Sequence, residues 1–100
     1  MLPNEIVGLF GLAQRAGKIA IGATAVSREI RRSRDLLLFF ATDFSSSTKE
    51  KLLAQSEKRP QIFEIGTMEE WGKFFGRERV GVIAISDKNF AAGILQKLKS

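Results

Sequence analysis

Residues 17–34 read Gly-Lys-Ile-Ala-Ile-Gly-Ala-Thr-Ala-Val-Ser-Arg-Glu-Ile-Arg-Arg-Ser-Arg, and the fold is decided by how they are read. Lys18 to Ile21 is a short strand, Gly22 turns the chain, and Ala23 to about Arg32 is a helix. The helix follows from spacing. Ala23, Val26 and Ile30 form an inner stripe, while Thr24, Ser27, Arg28 and Arg31 share the outer one. Charge singles out the same stretch. Extended back to Arg15, it holds six cations (Arg15, Lys18, Arg28, Arg31, Arg32 and Arg34) against Glu29 alone, a net charge of +5. The other eighty residues carry ten cations and ten anions, so the whole formal excess lies in one fifth of the chain. An anionic partner is expected to dock here.

Working outward, strands and helices alternate. Before the stretch, Asn4 to Ala16 is a helix with Ile6, Leu9, Phe10 and Ala13 at helical spacing and Gly17 as its stop. Gly8 and Gly11 weaken that helix and suggest close approach to a neighbour. After it, Leu36 to Ala41 is an unbroken apolar run, as expected of a central strand covered on both faces. Ser45 to Thr48 opens a third helix with Ser47 and Glu50 at capping-box spacing, ending near Arg59 before Pro60. Gln61 to Ile65 is a third strand. Thr67 and Glu70 form a second capping box at the head of a helix whose apolar side is Met68, Trp71, Phe74 and Phe75, stopped by Gly76. Val80 to Ile85 is a fourth strand, and Lys88 to Leu98 a last helix with Phe90, Ile94, Leu95 and Leu98 facing inward. The predicted fold is α/β: one domain over residues 1–100, with helices on both faces of a mixed four-stranded sheet.

Composition excludes more than it selects. The chain has no cysteine and no histidine, which removes thiolate chemistry, the commonest general base and the usual zinc ligands. No cofactor and no metal are expected. No apolar run approaches the roughly 18–20 residues of a membrane span. The first ten residues lack the early cations of a signal peptide, so the cytoplasm is the expected location. A sequence pI near 10.0 favours nucleic acid as partner.

Several motifs have plainer readings. Gly11 to Lys18 approaches a phosphate-binding loop, but its first glycine is one residue too early and Ile19 replaces the hydroxyl. It also leads from helix to strand, so it reads as a helix stop. Asp43 and Asp87 each follow a strand and read as cap or turn residues; Trp71, Phe74 and Phe75 read as core. The basic helix differs. It starts at Gly22, where free backbone N–H groups and the helix dipole favour phosphate, and arginine can bridge phosphate oxygens.

Taken together, Gly11-Leu-Ala-Gln-Arg-Ala-Gly-Lys18, Gly22, Leu37 to Asp43, Trp71-Gly72 with Gly76, and Val82 to Phe90 resemble the ribosomal protein L-seven-Ae/L-thirty-e superfamily. The pattern is similar to its bacterial YlxQ-like branch, matching at Ala41-Thr-Asp-Phe-Ser-Ser-Ser-Thr48 and Ser86-Asp-Lys-Asn-Phe-Ala91 over essentially the whole chain. The resemblance implies a three-layer α/β/α sandwich and binding of structured RNA, of which the kink-turn, a bent internal loop with sheared G·A pairs, is the best-characterised target. In such relatives the RNA is met by a Gly-x-Asn-Glu-x-x-Lys segment opening the second helix, helped by a loop after the last strand. Carried over, the segment is Gly22-Ala23-Thr24-Ala25-Val26-Ser27-Arg28. The glycine and a cation match, whereas Thr24 and Ala25 replace the two base-reading side chains. Phosphate contacts are thus kept and base-edge contacts weakened.

The expected RNA-binding residues are Lys18, Gly22, Ala23, Thr24, Ala25, Arg28, Arg31 and Arg32, with Ser86, Asp87 and Lys88 flanking the same site. The expected function is non-enzymatic binding of structured RNA, kink-turn-like or ribosomal, with no small-molecule substrate. The alternative is a protein-interaction module that retains the fold and has lost specific RNA recognition. Oligomeric state is not readable from the sequence.

Overall fold

The computed structural model describes residues 2–32, 36–57 and 60–99. Its elements, in chain order, are α1 (Asn4–Arg15), β1 (Ile19–Ile21), α2 (Ala23–Arg32), β2 (Leu37–Phe40), α3 (Ser46–Ala54), β3 (Gln61–Glu64), α4 (Met68–Phe75), β4 (Val82–Ile85) and α5 (Lys88–Lys99). The strands form one sheet in the order β1-β4-β2-β3. Strand β4 is antiparallel to both neighbours, and β2 pairs with β3 in parallel, so the sheet is mixed.

Period-two alternation along the strands divides the core into two layers. Leu37, Phe39, Ile83 and Ile85 point towards α1, α4 and α5, where they meet Phe10, Trp71, Phe75 and Ile94. Leu38, Phe40, Val82 and Ala84 point the other way, onto Val26 and Ile30 of α2 and Leu52 of α3. The unbroken apolar run therefore builds a strand covered on both faces, and all four residues of β2 are buried. Full burial of each large apolar side chain contributes about 2–3 kcal/mol. Phe10 meets the rings of Phe39 and Trp71 edge-on, each at 4.9 Å. The indole N–H of Trp71 donates to the Ile65 carbonyl at 2.8 Å, so its one polar atom is satisfied inside the core. Phe75 joins the same cluster and Phe74 packs at its margin, as helical spacing predicts.

Local capping explains most element ends. Helix α1 stops at Ala16: Gly17 takes φ 69° and donates to Gln14, and Lys18 donates to the Ala13 carbonyl at 2.9 Å. The Gly11–Lys18 motif thus ends a helix, as its helix-to-strand order predicts. The Thr67–Glu70 capping box forms with both reciprocal bonds, and Gly76 ends α4 at φ 70°.

Helix α3 opens within the expected Ser45–Thr48 cluster, with a different cap, and ends earlier than expected. Its cap is Ser45, whose hydroxyl accepts from Thr48 N–H and whose carbonyl accepts from Lys49 N–H; Ser47 instead shares a hydroxyl contact with Ser45 at 3.0 Å. Phe44 stands just before the cap; its ring stacks on Phe40 at 5.9 Å and fills the space beside Gly81, which anchors the chain where the helix starts. Leu52 and Leu53 are the last apolar residues, and α3 ends at Ala54 rather than near Arg59, which lies outside the described residues. Of the two helix glycines, a Cβ on Gly11 would stand 3.5 Å from the Phe74 ring, while one on Gly8 would meet nothing within 4 Å. Both positions would accept a Cβ, 3.5 Å being ordinary van der Waals contact, so close approach explains neither glycine.

Candidate functional site

The pairing of β1 with β4 decides which functional residues meet. Ile19 stands opposite Ile85 and Ile21 opposite Ile83. Consequently β1, β2 and β3 finish at one end of the sheet, the upper end, where β4 begins and where α2, α3 and α4 start. At the lower end β1 begins, β4 finishes, α2 stops and α5 starts.

Gly22 sits at the upper end in a conformation that only glycine takes readily, φ 90°. Its N–H donates to the Val82 carbonyl at 2.9 Å and its own carbonyl accepts from Val26 N–H at 3.0 Å. The residue thereby ties the helix to the sheet. The next N–H groups, at Ala23, Thr24 and Ala25, have no partner inside the helix, and no acidic residue lies in the first turn. Thr24 is exposed, and Arg28 is exposed one turn further along the same face. Ala25 is half-buried against the core beneath α2.

A residue that the sequence reading did not nominate completes this end. The Arg77 guanidinium donates to the Ile21 carbonyl at 3.4 Å and lies 3.7 Å from where a Cβ on Gly22 would stand. Its loop, residues 76–81 between α4 and β4, is held by contacts that glycines permit. A Cβ on Gly72 would come within 2.5 Å of the Glu78 carbonyl oxygen, and one on Gly81 within 2.1 Å of the Phe44 ring. Arg77 N–H donates to Gly72 at 2.8 Å, and Val80 N–H to Met68 at 3.0 Å. The loop that joins Gly22 thus precedes the last strand. Arg77 and Arg79 were hidden because their charge is offset along the chain by neighbours such as Glu78. Two arginines between turn glycines, ahead of a strand antiparallel to β1, were the available signal.

Ser86, Asp87 and Lys88 do not flank Gly22. They follow β4 and lie at the lower end, beside Lys18, four residues back along β1 from Gly22, or about 13 Å at the usual strand rise. An antiparallel partner of β1 must finish where β1 begins, and this overturns the expected grouping. Asp87 is occupied as a cap: its carboxylate accepts from the N–H groups of Asn89 at 2.9 Å and Phe90 at 3.0 Å. Asp43 serves similarly, accepting from Met68 N–H at 2.8 Å. Arg31 and Arg32 occupy the last turn of α2. The helix is ten residues long, so they lie towards the lower end, and the continuous basic stretch is shared between the two ends.

The described residues include no buried polar or charged side chain and no group of three His, Cys, Asp or Glu side chains placed to hold a metal. No described helix is long and apolar enough to cross a membrane. What the upper end offers is a helix N-terminus flanked by exposed arginines, a surface suited to phosphate.

Comparison with known proteins places this geometry. Two relatives, each named RNA-binding protein YlxQ, span nearly the full chain. That of Bacillus subtilis (strain 168) is 31% identical over 91 residues, covering 90% of this chain and 91% of its own. That of Enterococcus faecium is 34% identical over 89 residues, covering 88% and 85%. A solved structure of a protein of unknown function from Bacillus halodurans shares the fold with a TM-score of 0.81 at 24% identity, covering 98% of this chain and all of its own. The Giardia lamblia 15.5kD RNA binding protein shares it with a TM-score of 0.65 at 20% identity, covering 95% and 85%. Residues 4–95 match the family described as Ribosomal protein L7Ae/L30e/S12e/Gadd45, and the chain belongs to that family.

Proposed function

We propose that the chain is a non-enzymatic protein that binds structured RNA through the upper end of its sheet. The relatives named RNA-binding protein support the partner class. The observation that carries the site is the meeting of Gly22, the first turn of α2 and Arg77. The open N–H groups of Ala23, Thr24 and Ala25 and the helix dipole attract a phosphate, with Arg28 and Arg77 on either side to bridge its oxygens. Thr24 offers one hydroxyl to a base edge and Ala25 offers none. Affinity then rests on the backbone and the shape of a bent RNA, with weak reading of bases. Kink-turn RNA, within a ribosomal or other translation-related particle of the cytoplasm, is the target class this reading favours.

The test is a fluorescence anisotropy titration of a kink-turn RNA and a straight duplex of equal length, at low and near-physiological salt. A preference for the kink-turn at both salts supports the proposal. Equal binding that fades with salt supports a backbone binder of another RNA shape. Failure to bind either RNA would favour a protein partner instead.

A further inference from the structure

The lower end of the sheet is the feature that the reading above leaves unused. Lys18 stands beside the end of β4 by register, Lys88 opens α5 from that same strand end, Arg15 closes α1, and Arg31 and Arg32 close α2. All five are exposed. Among the described residues here, Asp87 caps α5 and Glu29 lies 3.9 Å from Arg32 within α2. Glu57, also at this end, precedes β3 on the far side of the sheet.

Cations at helix C-termini have an ordinary use, since they complement the dipole. That accounts for Arg15, Arg31 and Arg32. It does not account for Lys18, which lies between elements, or for Lys88. Lys88 is the first residue of α5, where the dipole disfavours a cation; the Asp87 carboxylate that caps the helix stands one residue before it. Lys88 and Lys18 thus belong to a group of five exposed cations at one end of the sheet that outnumber the described carboxylates there, Asp87, Glu29 and Glu57, an excess that favours an external anion.

We propose that the lower end is a second RNA-backbone surface, engaged by a helical arm that continues past the site at Gly22. Thr24, Arg28 and Arg31 recur at helical spacing along the outer face of α2, and they form the track that joins the two ends. Contacts at the lower end are to phosphates and independent of sequence, so they lengthen the footprint without adding base recognition. The inference rests on the RNA-binding reading and extends it from a point contact to a strip along the molecule.

The experiment uses a minimal kink-turn RNA and two versions in which one or the other helical arm is longer by a turn. Each is titrated against the wild-type protein and the Lys18→Glu/Lys88→Glu double variant across a salt series. Glutamate at the head of α5 suits the dipole, and Lys18 is exposed, so the variant retains the fold. One extended RNA is expected to bind wild type about tenfold more tightly than the minimal RNA at low salt, with a steeper salt dependence. The double variant should erase that gain, so that extended and minimal RNA bind it alike, and should change binding of the minimal RNA little at near-physiological salt. A wild-type protein that binds all three RNAs equally, or a double variant that keeps the gain, overturns the second surface and leaves the first intact. If wild type binds no RNA, the parent reading fails and this one with it.

Discussion

The two ends of the sheet both present exposed cations and have different constructions. At the upper end Arg77 is held against the Ile21 carbonyl, its loop lies directly on Gly72, and Gly22 ties α2 to β4. At the lower end Lys18, Arg31 and Lys88 are exposed on element termini. One end offers fixed geometry and the other offers charge. Fixed donors discriminate among RNA shapes, whereas loosely held cations add affinity that salt removes.

The comparison is broken most severely by reversing charge at the fixed end. Arg28→Glu with Arg77→Glu is expected to lower affinity for a kink-turn RNA at least a hundredfold at low salt, roughly 2.7 kcal/mol. Circular dichroism should be unchanged. Retained binding in titration would place the site elsewhere.

Gly72→Ala attacks the same end through its support. The added Cβ meets backbone atoms of Arg77 and Glu78, so the loop must move. A loss of about 2–3 kcal/mol is expected in urea unfolding, with weakened RNA binding in the folded fraction. Equal stability to wild type would show that the loop is not fixed by this contact.

Placing at Thr24 and Ala25 the Asn-Glu pair that the resemblance implies tests discrimination rather than affinity. Thr24→Asn/Ala25→Glu should raise the preference for kink-turn over duplex about tenfold, near 1.4 kcal/mol. An unchanged ratio would mean that shape alone is read.

Smaller effects separate the ends further. Thr67→Ala removes the capping box that starts α4 at the upper end and should cost about 1 kcal/mol in the same unfolding assay. Lys88→Glu at the lower end should instead stabilise the free protein by roughly 0.3–1 kcal/mol, visible as a slightly raised Tm. A destabilised Lys88→Glu protein would mean that the lysine already has a structural partner.

What could be read in advance divides along the same line. The Thr67–Glu70 cap, the stop at Gly17 and the doubly covered β2 are local matters of spacing, composition and glycine conformation, and all of them formed. So did the inner stripe of α2, with Val26 and Ile30 buried. The start of α3 was harder. Ser45 and Ser47 are chemically equivalent caps, and the chain beside Ser45 is anchored by Phe44 meeting Gly81, residues separated along the chain and adjacent in space. The candidate site was half legible for a similar reason. Gly22, Thr24 and Arg28 lie on one continuous segment, but Arg77 joins them only through the direction of β4. That direction also placed Ser86, Asp87 and Lys88 at the opposite end. Strand direction is set by long-range packing, which periodicity does not encode.

Trp71 is the protein's only tryptophan, there is no tyrosine, and the indole is buried to 1% exposure with its N–H bonded to Ile65. The molecule therefore contains a single optical reporter, sealed in the layer under α1 and α4 and shielded from either basic surface. Its emission should respond to unfolding and stay silent when RNA binds. In every charge-reversal variant, an unaltered blue emission beside a lost RNA titration would separate a missing contact from a missing fold in one cuvette.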